Sequence, residues 1–188
     1  DYLCAECGGR EKLFSTLKFC ALVHDIGKLT IVFQSRIYDA VDFSPFADCV
    51  ELPKSSSLGN ASDTPHALAS EAILLKLGCR EGVASIAGAH HGRPSALADV
   101  CDQISGACTA VENFYGKRGK YRQLFESLWK EWIDFSLECA GFSELSDLPD
   151  MAVPAQVVIS GMLITADWIA SNTTYFPLIS ADEQGQFS

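Results

Sequence analysis

Positive charge is scarce in this chain. Fourteen lysines and arginines stand against 24 acidic residues, a formal net charge of −10. Gripping a nucleic-acid backbone over a wide face depends on cations that neutralise phosphates, so this balance argues against such a surface. It leaves bound metal ions as a local source of positive charge, or a partner that does the gripping. Long apolar runs are missing too. The best stretch, 153–170, contains Gln156 and Asp167 and lacks the flanks of a bilayer span, so no membrane association is expected. No basic segment leads into an apolar one, which removes support for secretion. A Gly-x-x-x-x-Gly-Lys-Ser/Thr loop is absent, and with it a nucleotide-driven motor. Sustained alternation of apolar and polar residues is absent as well, so the fold class is all-α.

Eight cysteines do not make a disulfide framework here, because their spacing is irregular and nothing marks the chain as secreted. Cys20, Cys79, Cys101, Cys108 and Cys139 fall among helix formers and read as small core hydrophobes. Cys4-Ala5-Glu6-Cys7 on its own is a weak sign of zinc. Reduced cysteines and a cytoplasmic location are expected. With 188 residues, 48% of them hydrophobic, the chain is large enough for one domain with a real core over 1–188. It opens on Asp1 rather than methionine, so the expectation is a trimmed product or a piece of something longer.

Apolar spacing at Leu13, Phe14, Leu17, Ala21 and Leu22 predicts a helix from Glu11 to about Asp25, ended by Gly27, with a shorter helix before it closed by Gly8-Gly9. Residues 33–60 read as irregular, interrupted by Pro45 and Pro53. Asp63-Thr64-Pro65 reads as a capped start for a helix running to Leu77 and closed by Gly78. Further helices are predicted over 81–90, 95–104, 105–115 and 121–140, the last with Leu124, Leu128, Trp132, Phe135 and Cys139 on one stripe. The apolar stretch 155–171 is expected to be the central helix, with Asp167 buried in its last turns.

All four histidines, His24, His66, His90 and His91, sit at helix ends or beside helix-breaking residues. Each alone is more often a satisfied polar residue than a ligand. Together with Asp25, adjacent to His24, they offer a mixed nitrogen and oxygen donor set for divalent metal. Imidazole suits zinc, iron, nickel and copper, and carboxylate draws preference toward manganese and magnesium. Two nearby metals sharing a carboxylate can orient a phosphodiester and activate water. Asp167 has two readings, a hydrogen-bonded buried acid or a metal ligand, since an unpartnered carboxylate in so apolar a stretch is costly. Lys28 likewise is either a solvated helix-end cation or a contact for a metal-bound phosphate.

The ordered motifs are His24-Asp25-Ile26-Gly27-Lys28, Phe33-Gln34, Pro65-His66, Ala89-His90-His91-Gly92 and Asp167-Trp168-Ile169-Ala170-Ser171. In this order they resemble the HD nuclease domain of CRISPR-associated type I helicase–nucleases, within the HD superfamily of metal-dependent phosphohydrolases. The likeness runs from about Lys18 to Pro177. The first motif marks the superfamily alone; the later ones single out the nuclease branch.

The resemblance implies an HD-domain helical bundle with a dinuclear metal site between helix ends. It implies endo- or exonucleolytic degradation of single-stranded DNA, displaced by a guide-RNA surveillance complex and fed by a helicase domain or subunit. Asp25 would bridge two metals, with His24 and Asp167 on the first and His66, His90 and His91 on the second. Asp25 and Lys28 would carry the catalytic role, Lys28 at the phosphate, and Ser171 would contact the substrate backbone. The implied cofactors are two divalent transition metal ions, with manganese, nickel, cobalt or iron foremost and magnesium or zinc as alternatives. One departure stands out. The family pattern supplies a further histidine from an upstream helix, whereas no histidine precedes His24, so truncation just downstream of that ligand is expected. Two other readings are an HD-type nucleotide phosphohydrolase and a metal-binding interaction module with impaired catalysis.

Overall fold

The computed structural model describes residues 1–42, 50–105 and 110–177. Among them every regular element is helical, as expected: α1 (Tyr2–Cys7), α2 (Arg10–Val23), α3 (Ile31–Val41), α4 (His66–Lys76), α5 (Glu81–Gly88), α6 (Leu97–Ser105), α7 (Ala110–Tyr115), α8 (Arg122–Ala140) and α9 (Val153–Ala170). The expected helix over 105–115 lies partly outside the described residues, as do Pro45 and Cys108.

The central helix is α4, not α9. Every residue from Ala67 to Leu74 is buried, and α4 packs against α5, α6 and the turn that follows α2. Its sequence suits this position, since alanine and leucine have high helix propensity and the small side chains let neighbours approach from several sides. Beyond Leu77 the helix closes on Gly78, whose φ of 88° lets the Cys79 amide return to the Leu74 carbonyl at 3.0 Å. By contrast α9 buries only Ala155, Ile159 and Leu163, one residue per turn. Val153, Val157, Met162 and Trp168 on its other faces are exposed. By length and composition alone α9 is long and apolar enough to cross a membrane. Its packing on α5, α2 and α1 places it on the flank of the bundle instead.

Two helices turn a different face inward than their apolar spacing suggests. In α2 the buried positions are Leu13, Thr16, Phe19, Cys20 and Val23, while Phe14 is exposed. In α8 they are Phe125, Trp129, Ile133, Ser136, Leu137 and Ala140, while Trp132 and Phe135 are exposed. The cause is the same in both. A hydroxyl satisfied within its own helix can enter the core: Thr16 donates to the Lys12 carbonyl at 2.7 Å, and Ser136 to the Trp132 carbonyl at 2.7 Å. These polar residues break the apparent apolar period.

The third helix corrects another expectation, for α3 runs over 31–41 and so fills 33–41 of the stretch read as irregular. Its inner face includes Gln34 and Ser35, so no apolar stripe announces it. Pro65, rather than a side-chain cap, begins α4. Among the cysteines, Cys20 and Cys79 are buried as expected, Cys139 is half-buried and Cys101 is exposed. All the described cysteines are free thiols.

The segment between α2 and α3 is held at three points. Ile26, 2% exposed, anchors a 3-10 turn over Ile26–Lys28 in the core. The Trp132 indole N–H donates to the Leu22 carbonyl at 2.9 Å, just before His24-Asp25. The Trp129 indole N–H, one turn earlier on α8, donates to the Leu29 carbonyl at 2.7 Å, just after Lys28. Two tryptophans thus clamp the backbone on either side of the motif.

Candidate metal centre

Where α2 ends, His24 caps the helix and Asp25 leaves it with φ −98° and ψ 11°. The chain then passes against the first turn of α4. Gly27 donates its amide to Ser70 Oγ at 2.9 Å, and its α-carbon lies so close to His66 that a Cβ would overlap the His66 carbonyl oxygen. Only glycine permits this approach. His66 and Ser70 lie four residues apart on one face of α4, so the contact that seats Gly27 also brings His66 beside Asp25. His90 and His91 arrive from the end of α5, which packs on α4.

The result is a convergence of ligating atoms. The Nε2 atoms of His66 and His90 are 3.2 Å apart, and those of His66 and His91 are 2.8 Å apart. All three residues offer nitrogens within 4.8 Å of one another, a group that could hold a metal ion. Asp25 Oδ1 stands 3.5 Å from His66 Nε2 and 3.6 Å from His90 Nε2. The other carboxylate oxygen faces elsewhere: Asp25 Oδ2 is 3.4 Å from His24 Nε2 and 2.5 Å from Lys28 Nζ. His24 Nε2 in turn is 3.7 Å from Asp167 Oδ1. Asp167 is half-exposed rather than buried, because α9 is peripheral. Ser171 bonds only within the end of α9 among the described residues, its amide to the Asp167 carbonyl at 2.8 Å and its hydroxyl to the Trp168 carbonyl at 3.5 Å. It does not join the cluster.

Tautomers are fixed where it matters. His24 Nδ1 lies 2.8 Å from the Ala21 carbonyl and His90 Nδ1 lies 2.6 Å from the Ala87 carbonyl. A carbonyl only accepts, so each Nδ1 carries the proton and each Nε2 presents a lone pair inward. His24 Nε2 and Asp25 Oδ1 are buried without a hydrogen-bond partner. Buried polar atoms left in this way are costly, and several lone pairs converging on one point repel. A divalent cation removes both costs, so the residues present fit one.

Charge follows the same pattern. Burial raises the Asp25 carboxyl, but the Lys28 ammonium bonded to it and the His24 imidazole beside it prevail, and it stands below the usual carboxylate range. Burial pushes His66 down to about 4, against the pull of Asp25 and with His90 and His91 adding to the drop. His90 is lowered as well, chiefly by burial. His66 and His90 are therefore neutral beside an anionic Asp25 near neutral pH, the state that binds metal. Cys4 and Cys7 take no part; the Cys7 thiol lies 3.6 Å from the Met151 sulfur, and among the described residues the histidine trio is the group assembled for metal.

Comparison with known proteins agrees with this geometry. Residues 2–176 match the family described as Cas3, HD domain. The chain belongs to that family. This HD domain is also 33% identical to a CRISPR-associated nuclease/helicase Cas3 from Streptococcus thermophilus, over 185 residues covering 88% of the chain and 19% of that relative. The chain thus spans about a fifth of the relative's length. No solved structure matches. Sequence reading missed the residues that seat the HD motif: Ser70, Trp129 and Trp132. For Ser70 a signal existed, its four-residue spacing from His66. The tryptophans carry none, since an indole donor's target is set by tertiary packing.

Proposed function

We propose that this chain is a two-metal nuclease domain that hydrolyses phosphodiester bonds of single-stranded DNA in CRISPR type I interference. The observation that carries the reading is the position of Asp25, whose two oxygens face different imidazoles, His66 and His90 on one side and His24 on the other. A carboxylate so placed suits a bridge between two ions. Bound divalent metal supplies Lewis acidity and a water acidic enough to attack near neutral pH.

The chain's own groups then divide the work. His66, His90 and His91, with Asp25, would hold one ion. His24, Asp25 and Asp167 would hold the other. Lys28 keeps Asp25 ionised and, with its ammonium half-exposed, offers a charge to the substrate phosphate. Ser171, at the end of α9, would contact the substrate backbone. The nitrogen and oxygen donors suit manganese, nickel, cobalt or iron, with zinc and magnesium as alternatives, zinc through the imidazoles and magnesium through the carboxylates. The net acidity supports a division in which a helicase domain or subunit, working with a guide-RNA surveillance complex, delivers the strand. Such a role lies in the cytoplasm.

The test is incubation of the chain with circular single-stranded DNA or with deoxynucleoside triphosphates in Mn²⁺. DNA degradation that disappears in Asp25→Ala is expected. Hydrolysis of the triphosphates with DNA intact would sink the reading in favour of a nucleotide phosphohydrolase. Metal binding without any hydrolysis would make the chain an interaction module.

A further inference from the structure

A cleft of about 260 Å³ opens beside His66, between α3 and the segment leading into α4, with Val32, Phe33, Arg36, Ser62 and Pro65 in its walls. His66, one of the clustered histidines, forms part of its wall. There the Phe33 ring meets His66 edge-on, with centroids 5.4 Å apart at 67°, and Lys28 Nζ lies 6.0 Å from the Phe33 centroid. Three residues further along α3, and so on the same face, Arg36 is exposed and makes no ion pair among the described residues. The cleft walls therefore offer an aromatic ring and a guanidinium, with the Lys28 ammonium near the ring outside them. Ile31 and Val32, both almost fully buried, already fix α3 in the core, so Phe33 is not needed for that purpose.

These are the two chemistries a nucleotide asks for. An aromatic ring accepts any base, because every base has a π-face, and an unpaired guanidinium takes phosphate oxygens. We infer that this cleft is a nucleotide subsite, holding the nucleotide next to the scissile phosphate with its base against Phe33 and its phosphate toward Arg36. This rests on the nuclease reading above for the identity of the strand. Stacking without base-edge readout gives no sequence preference, which suits a domain that degrades whatever strand it receives. The subsite also answers the shortage of cations, since the strand is gripped locally beside the metals rather than across a basic face.

The test measures binding of a short fluorescent oligothymidylate by anisotropy in Ca²⁺ over a range of salt, with free thymidine triphosphate as a competitor. The chain is compared with Phe33→Leu and Arg36→Gln, with thermal melting to confirm folding. Each substitution is expected to weaken oligonucleotide binding about tenfold. Arg36→Gln should lower the slope of log affinity against log salt by about 0.7, the loss of one single-strand phosphate contact, while Phe33→Leu leaves the slope unchanged. An abasic position in the oligonucleotide should weaken binding to the unaltered chain but not further weaken Phe33→Leu. Unchanged affinity in both variants, or no binding by the unaltered chain, overturns the subsite. If the variants lose oligonucleotide affinity while the unaltered chain cuts no DNA, the subsite stands and the nuclease reading alone fails. Competition by the free triphosphate that matches the oligonucleotide would mark the source as free nucleotide and overturn the placement of a strand here.

Discussion

The α-carbon of Gly27 rests against the carbonyl oxygen of His66, and its amide donates to Ser70 Oγ at 2.9 Å. This single contact joins the motif that carries Asp25 to the one that carries His66. A methyl group on Gly27 would meet backbone on α4, which cannot step aside as a flexible side chain can. Gly27→Ala is therefore expected to cost about 1–3 kcal/mol, the range for overpacking a well-packed site. It should also weaken manganese binding, because His66 and Asp25 are pushed apart. Calorimetric titration beside a melting curve checks both. Retained metal affinity would show that the contact does not set the centre.

The tryptophan clamp makes a second expectation. Trp129→Phe leaves the Leu29 carbonyl without its 2.7 Å donor in the core and should destabilise the chain by about 1–3 kcal/mol. Trp132→Phe frees the Leu22 carbonyl at a more exposed place, where water substitutes, and should cost less than about 1 kcal/mol. Urea titration of the two variants measures the difference. Equal losses would mean that burial does not separate them.

Glu71 sets a pH dependence of its own. It is 7% exposed, its Oε2 has no hydrogen-bond partner, and a Cβ on Gly88 would overlap that oxygen. Burial pushes its carboxyl up to about 7, with the Ser95 amide pulling the other way. The folded chain then binds the extra proton between pH 4.5 and 7, so stability from this group falls as pH rises through that window. Glu71→Gln should raise stability by about 3 kcal/mol at pH 8 and leave it unchanged at pH 4. Melting temperatures at the two values decide it, and a gain of equal size at both would contradict the assignment.

His66 acts with the opposite sign. Its folded value of about 4 lies below the ordinary 6.5, so the unfolded chain binds more protons between the two. The stability contributed by neutral His66 is complete above pH 6.5 and is lost as pH falls toward 4. In EDTA, His66→Asn should flatten the acid limb of the stability profile. An unchanged limb would place the titration elsewhere.

The legible parts of this molecule share a physical character. Local signals placed α4, α5 and the ends carrying His24, His66, His90 and His91, because glycine, proline and helix periodicity act within a few residues. The all-α class was legible for the same reason. What stayed hidden depended on the partner surface. The inner faces of α2 and α8 include Thr16 and Ser136, and that of α3 includes Gln34 and Ser35, polar groups that only a satisfied hydrogen bond admits to the core. The prominence of α9 in apolar content misled, because an exposed apolar flank and a buried one read alike. Asp167 was accordingly placed too deep; its Oδ1 lies 3.7 Å from His24 Nε2 on the flank of the bundle.

The central claim is that Asp25 joins a complete imidazole trio to a second donor set. Anomalous diffraction from crystals soaked in Mn²⁺ tests it most directly. The account expects one peak at about 2.0–2.2 Å from the Nε2 atoms of His66, His90 and His91 and from Asp25 Oδ1. A second peak is expected between His24, Asp167 and Asp25 Oδ2. A soaked crystal with no peak at the trio, or with ions bound only where Asp25 takes no part, would contradict it.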